Sequence, residues 1–104
     1  MTAPTFEPVA GGGFTVSGRL GFETVHLIWE LSRAGLESAD EPSVDLGGVI
    51  HIDSAGLALV LEWVGWARAR GKRLRLSHVP PKLLDLARIS EVDGFLMDAT
   101  TGAA

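Results

Sequence analysis

The chain has 104 residues, 46% of them apolar and 21% charged, which is enough for one hydrophobic core and excludes a disordered or multi-domain chain. It has no cysteine and only three histidines, which excludes disulfides and thiol chemistry and leaves few metal ligands, so no metal and no cofactor are expected. The net charge of −4 is uneven, because residues 1–62 hold nine acids and two bases whereas residues 63–104 hold four acids and seven bases.

The first part of the chain is predicted to form two strands and a helix. Residues 5–10 are β-prone and are followed by three glycines, which indicates a hairpin turn. Apolar and polar residues then alternate over 14–19, as in a strand with one buried face. Thr24 is a candidate cap for helix one, predicted over about 24–36 from apolar residues at helical spacing.

The second part alternates strands and helices. Residues 43–52 predict a central strand broken at Gly47-Gly48, and a long second helix runs from Ala55 to Arg70. A short strand at 74–76, a third helix at 82–89 and a last short helix within 91–98 follow. The order predicts an α/β fold, a mixed β-sheet of about four to five strands with three to four helices packed against it.

The termini and the charge pattern limit where the protein acts. Residues 1–8 contain no secretory signal, and the longest strongly apolar stretch, Ala55–Leu61, is far below the roughly 20 residues of a membrane span. We therefore expect a cytoplasmic protein without direct membrane insertion. The basic residues between Arg68 and Arg75 lack an overall basic balance and interleaved aromatic residues, so nucleic-acid binding is not expected.

The most informative segment is the passage from strand to helix at Asp53-Ser54-Ala55-Gly56. Ser54 suits the N-cap or first turn, and Gly56 would let another chain or a ligand approach the helix N-terminus closely. The exposed amides there favour a phosphate or a carboxylate. The alternative is that Asp53 and Ser54 only cap the helix, and the spacing alone leaves both interpretations open.

Several short segments follow one another in a specific order. They are VSGRL at 16–20, VDL at 44–46, IDSAGL at 52–57, RGK at 70–72 and PKLLDLARI at 81–89. Together they resemble the STAS domain, the fold of anti-anti-sigma factors and of small regulatory subunits of transporters. The resemblance implies a single STAS domain over 1–104, with a core of about 5–97 and a flexible tail at 99–104.

The resemblance also implies a function. The segments at 29–30 and 53–59 look most like the cytoplasmic STAS subunit of an ABC complex that moves phospholipid between the membranes of Gram-negative cells. The implied role is a non-catalytic subunit that binds and activates the transporter's ATPase subunit, in a system that maintains outer-membrane lipid asymmetry. The alternative is an anti-anti-sigma factor controlled by phosphorylation of Ser54 by an anti-sigma kinase. Phosphorylated members usually carry an acidic residue where this chain has Gly21, although Glu23 lies two residues on.

The long helix carries two apolar stripes, of which only one has to face the sheet. Trp63 and Trp66 lie on the second stripe and are expected to be partly exposed, although each alone also suits a core. Helix one lies beside this helix in a STAS arrangement and adds Trp29. The predicted partner-binding residues are Trp29, Asp53, Ser54, Ala55, Gly56, Leu59, Trp63 and Trp66.

Two enzymatic interpretations are weak. The three histidines, His26, His51 and His78, are not at i, i+3 or i, i+4 spacing, so they do not form a metal-binding pair. His51, Asp53 and Ser54 include the residue types of a hydrolase triad, but adjacent strand positions point to opposite faces and cannot form the proton relay. The sequence favours a binding surface over an active site.

Overall fold

Eight secondary-structure elements lie within residues 3–10 and 12–99, the part of the chain that the computed structural model describes, with the side chain of Met97 excepted. They are β1 (Thr5–Pro8), β2 (Phe14–Leu20), α1 (Val25–Ser38), β3 (Ser43–Ile52), α2 (Ser54–Ala69), β4 (Arg75–Ser77), α3 (Pro81–Ile89) and α4 (Asp93–Ala99). The predicted α/β fold with a mixed sheet is confirmed.

The four strands form one sheet in the order β1-β2-β3-β4. β1 pairs with β2 antiparallel, whereas β2 with β3 and β3 with β4 are parallel. The parallel pairs are connected through α1 and α2, because parallel neighbours need a crossover. The buried strand residues join the helices in a single core, and they are Val16, Leu20, Val44, Leu46, Ile52 and Leu76.

The central strand differs from its prediction. Residues 43–52 form one continuous strand, and the break expected at Gly47-Gly48 is absent. The register of β3 against β2 shifts between Thr15 and Ser17, as at a β-bulge. A Cβ on Gly48 would lie 2.9 Å from the Cβ of Ser17, so the glycine permits a close strand contact. The strand therefore continues to the edge where α2 begins.

Helix α2 packs against the three other helices, α1, α3 and α4. Both of its apolar stripes are largely buried, and the expectation that Trp63 is partly exposed is wrong, since its exposed fraction is 0%. The prediction failed because it did not count the cover that α1 and β1 provide, through Ser32 and Phe6.

A buried polar contact joins α1 to α2. The indole Nε1 of Trp63 donates to Ser32 Oγ at 3.0 Å, and the same hydroxyl donates to the carbonyl oxygen of Trp29 at 2.9 Å. Ser32 is fully buried. The Trp63 ring also packs against Phe6, with ring centroids 5.9 Å apart. This contact fixes the two helices side by side, because a buried indole N–H needs an acceptor.

The last helix extends further than the sequence predicts. Residues 99–104 are predicted to form a flexible tail, but Ala99 is the last residue of α4 and is only 7% exposed. The rest of that tail, residues 100–104, lies outside the described residues. Among the helices described, none combines the length and the apolar character needed to cross a membrane.

Replacing Ser32 with alanine is expected to destabilise the domain by about 1–3 kcal/mol, because the buried indole N–H of Trp63 loses its acceptor. Urea unfolding followed by tryptophan fluorescence measures the free energy of unfolding. Ser38→Ala is the matched control, because Ser38 is exposed on the same helix. Equal stabilities of the two variants would contradict the assigned role of Ser32.

Candidate functional site

Asp53 is the cap of α2, and it also holds the loop between β2 and α1. Its Oδ1 accepts hydrogen bonds from the backbone amides of Ala55 at 2.9 Å and Gly56 at 3.1 Å. Its Oδ2 accepts a hydrogen bond from the amide of Phe22 at 3.2 Å. One carboxylate therefore connects the start of α2 to a loop about thirty residues earlier in the chain, and Ser54 is the first residue of the helix, not its cap.

The pKa of Asp53 is lowered from its ordinary value. Burial by itself would raise this pKa, but the three amide hydrogen bonds and the nearby His51 lower it by more. The carboxylate is therefore charged at neutral pH. A negative charge at a helix N-terminus is also favoured by the helix dipole.

The loop between β2 and α1 is fixed by short contacts. A Cβ on Gly21 would lie only 2.7 Å from Asp53 Oδ2, so a side chain at position 21 would push the capping carboxylate away. Thr24 occupies the N-cap position of α1, as predicted, but its side chain makes no capping hydrogen bond to the helix. Its hydroxyl instead accepts from the Gly21 amide at 3.0 Å and donates to the Arg19 carbonyl oxygen at 2.6 Å. The backbone of this loop is therefore held in one arrangement.

Ser54 is exposed at the start of α2. Its hydroxyl makes no hydrogen bond to any residue that the structure describes. Ala58 and Glu62 follow at steps of four residues and are also exposed, so they continue the same side of the helix outward from Ser54. Ala55 is half-buried beside this row. The exposed side of α2 thus begins at the turn that the sequence singled out.

Three predicted contact residues are not on the surface. Gly56 is buried, and a Cβ there would overlap the carbonyl oxygen of Leu20, so this glycine allows close packing within the chain and not the approach of a ligand. Leu59 is 6% exposed and Trp63 is fully buried. Both belong to the core cluster that α2 shares with the sheet and the other helices. The proposed surface therefore excludes these three residues.

Trp66 is half-buried, as expected, but the face of its ring is occupied. The guanidinium carbon of Arg70 lies 4.4 Å from the ring centroid, and Lys72 Nζ lies 5.3 Å from it. Lys72 also donates to the carbonyl oxygens of Leu36 and Glu37 at the end of α1. Trp66 is therefore part of a cation–π cluster that joins the C-terminal ends of α1 and α2.

Trp29 is half-buried on α1. It precedes Ser32 by three residues and so lies on the side of α1 that contacts α2. The structure thus places the half-buried Trp29 on α1, and the half-buried Asp53 and the exposed Ser54 at the start of the adjacent α2.

The sequence interpretation missed Phe22. This side chain is 84% exposed, the largest exposed fraction of any large apolar residue described. It adjoins a cleft of about 720 Å³, whose walls also include Ala3, Pro4, Arg19 and His51. One signal in the sequence could have identified it. Phe22 is a large aromatic residue between Gly21 and Glu23, in a predicted loop where no strand or helix pattern requires one.

The Ser54 hydroxyl has no hydrogen-bonded base among the described residues. His78 lies elsewhere, with Nδ1 3.0 Å from Asp45 Oδ1. Across residues 3–10 and 12–99, no group of three or more histidine and acidic side chains is placed to hold a metal ion.

Comparisons with known proteins agree with this geometry. A family profile described as "Mlab, STAS domain" matches residues 8–98. The intermembrane phospholipid transport system binding protein MlaB of Escherichia coli K12 is 28% identical over 79 residues, 76% of this chain and 79% of that protein.

Two solved structures share the fold. A proposed anti-sigma factor antagonist from Thermotoga maritima has a TM-score of 0.68 at 17% identity and covers 88% of this chain and 80% of its own. The anti-sigma factor antagonist SpoIIAA in its unphosphorylated form has a TM-score of 0.66 at 19% identity, over 98% of this chain and 90% of its own.

Replacing Asp53 with alanine is expected to lower the free energy of unfolding at pH 7 by about 1–2 kcal/mol, because the helix cap is lost. The pKa of Asp53 is lower in the folded than in the unfolded protein, where it is about 3.9. The stability that the carboxylate contributes is therefore complete above the unfolded pKa and is lost as the pH falls through the folded pKa. Urea unfolding at pH 7, 5 and 3.5 measures the difference in the free energy of unfolding between wild type and variant. This difference should be the same at pH 7 and pH 5 and smaller at pH 3.5. An equal difference at all three pH values would contradict a charged cap.

Proposed function

The chain belongs to the family of MlaB-type STAS domains, and on that premise we propose that it is a non-catalytic subunit of an ABC phospholipid transport system. In this proposal it binds the cytoplasmic ATPase subunit of the transporter and supports ATP hydrolysis there. It acts in the cytoplasm, at the inner membrane through its partner, and contributes to outer-membrane lipid asymmetry. It uses α1, the exposed side of α2 and the turn at Ser54.

The observation that carries the proposal is the exposure of Ser54 on a rigid support. The residue before it is held by three amide hydrogen bonds, so the position of the turn is set before a partner arrives. A preorganised surface loses little conformational entropy on binding. The exposed residues that follow, Ala58 and Glu62, extend this surface along α2, and the small Ala58 allows a partner's backbone to approach closely.

A non-catalytic role is supported by the chemistry of the turn. The carboxylate of Asp53 is already engaged by three amides and is not positioned as a base toward Ser54. The Escherichia coli relative is a binding protein of an intermembrane phospholipid transport system. A protein partner is accordingly favoured over a small-molecule substrate.

Replacing Ser54 with arginine is expected to weaken binding to the purified ATPase subunit at least tenfold and to reduce the stimulation of ATP hydrolysis, because a long cation would occupy the contact. Affinity is measured by isothermal titration calorimetry, and hydrolysis by phosphate release. Ser90→Arg is the control, since Ser90 is exposed at the end of α3. If Ser54→Arg and Ser90→Arg bind and stimulate like wild type, the proposed surface is wrong.

The alternative function is an anti-anti-sigma factor switched by phosphorylation of Ser54. The exposed hydroxyl favours it, because a kinase could reach this side chain. Two features oppose it. Gly21 lies against the Asp53 carboxylate and leaves no room for an acidic side chain, and a phosphate of about −1.5 to −2 charge would stand beside the charged Asp53.

Incubation with the cognate anti-sigma kinase and ATP, followed by mass spectrometry, separates the two functions. We expect no added phosphate on Ser54. Ser54→Ala provides the blank for phosphate at other positions. Stoichiometric phosphate on Ser54 would support the alternative. If the phosphorylated protein also lost its binding to an anti-sigma factor, the transporter proposal would be overturned.

A further inference from the structure

We infer that Phe22 and the cleft beside it form a second part of the docking surface, in which the ring enters an apolar socket on the ATPase subunit. A protruding segment of the same partner fills the cleft. This inference rests on the proposed function and names a feature that the partner has to carry: an apolar socket next to a projecting loop.

Exposure alone does not mark Phe22 as a contact residue, because single exposed apolar side chains are common on soluble proteins. Ile50 and Ile89 are 78% and 80% exposed and show how ordinary such positions are. Phe22 differs from these two residues because it lies beside the cleft and is joined to the turn at Ser54 through Asp53. The ring projects into solvent from a backbone that is fixed at several points.

The fixed points lie on both sides of the residue. The Phe22 amide donates to Asp53 Oδ2 at 3.2 Å. The preceding residue, Gly21, donates its amide to Thr24 Oγ1 at 3.0 Å and packs against the same carboxylate. An aromatic side chain has few rotatable bonds, so an anchor on such a loop is ordered at small entropic cost. Aromatic residues are among those that most often dominate binding energy.

The cleft makes the surface next to Phe22 concave. One wall is the segment at Ala3 and Pro4, which can lie close to β2 because Gly18 has no side chain and a φ of +94°. Another wall is formed by Arg19 and His51, which are paired across β2 and β3. With a volume of about 720 Å³ the cleft can hold several side chains. A partner therefore needs a protrusion, not only a flat face.

Continuity with the turn at Ser54 identifies the occupant. Asp53 binds the Phe22 amide through one oxygen and caps the helix that starts at Ser54 through the other. The anchor and the turn thus belong to one rigid unit. A partner that covers Ser54 meets Phe22 as well, so both should bind the ATPase subunit and not a second copy of this chain.

The test compares Phe22→Ala with Ile89→Ala, which removes an equally exposed apolar side chain from the end of α3. Phe22→Ala is expected to weaken binding to the purified ATPase subunit about tenfold or more, whereas Ile89→Ala leaves it unchanged. Neither variant should change the free energy of unfolding by more than about 0.5 kcal/mol, because both side chains are exposed. Phe22→Leu should retain most of the affinity.

The outcomes separate this inference from the proposed function. If wild type binds and Ser54→Arg does not, but Phe22→Ala binds like wild type, the anchor is wrong and the function stands. If wild type does not bind the ATPase subunit, both fail. Analytical ultracentrifugation tests self-association. If wild type is a dimer, Phe22→Ala is a monomer and binding to the ATPase subunit is unchanged, the ring serves self-association and the inference is overturned.

Discussion

The carboxylate of Asp53 is the group on which the functional end of the molecule depends. It satisfies amides from two segments, the first turn of α2 and the loop before α1, and it stays charged because those amides lower its pKa. Two glycines make this arrangement possible. Gly21 leaves space for the carboxylate, and Gly56 lets the helix lie against the Leu20 carbonyl oxygen. Each contact requires the others, so Ser54 and Phe22 are presented together.

A second constraint explains why the surface is narrower than the sequence indicates. Helix α2 is apolar on most of its circumference, and α1, α3 and α4 all pack against it. Trp63 is therefore a core residue whose indole bonds to Ser32. Trp66 makes cation–π contacts with Arg70 and Lys72 at the C-terminal ends of α1 and α2. The surface proposed for a partner is therefore limited to the row from Ser54 to Glu62, the half-buried Trp29 and the loop at Phe22.

Much of the fold could be predicted from local patterns. The period-two alternation at 14–19 and the apolar spacing of the helices depend on neighbouring residues, which the sequence displays directly. The break expected at Gly47-Gly48 failed because glycine has two uses. An unpaired glycine interrupts a strand, whereas a glycine that pairs with a neighbouring strand permits close contact. Gly48 is of the second kind, because it pairs closely with Ser17 of β2.

The sequence by itself determined the element order, the STAS resemblance and the importance of the segment from Asp53 to Ser54, because these follow from short-range spacing. Only the tertiary structure decided which residues reach solvent and which side chain completes the cap. Exposure depends on which elements pack over a residue, and the Phe22 amide meets Asp53 across thirty-one positions of chain. For this reason Trp63, expected to be partly exposed, is buried, whereas Phe22, for which no expectation followed from the sequence, is left in solvent.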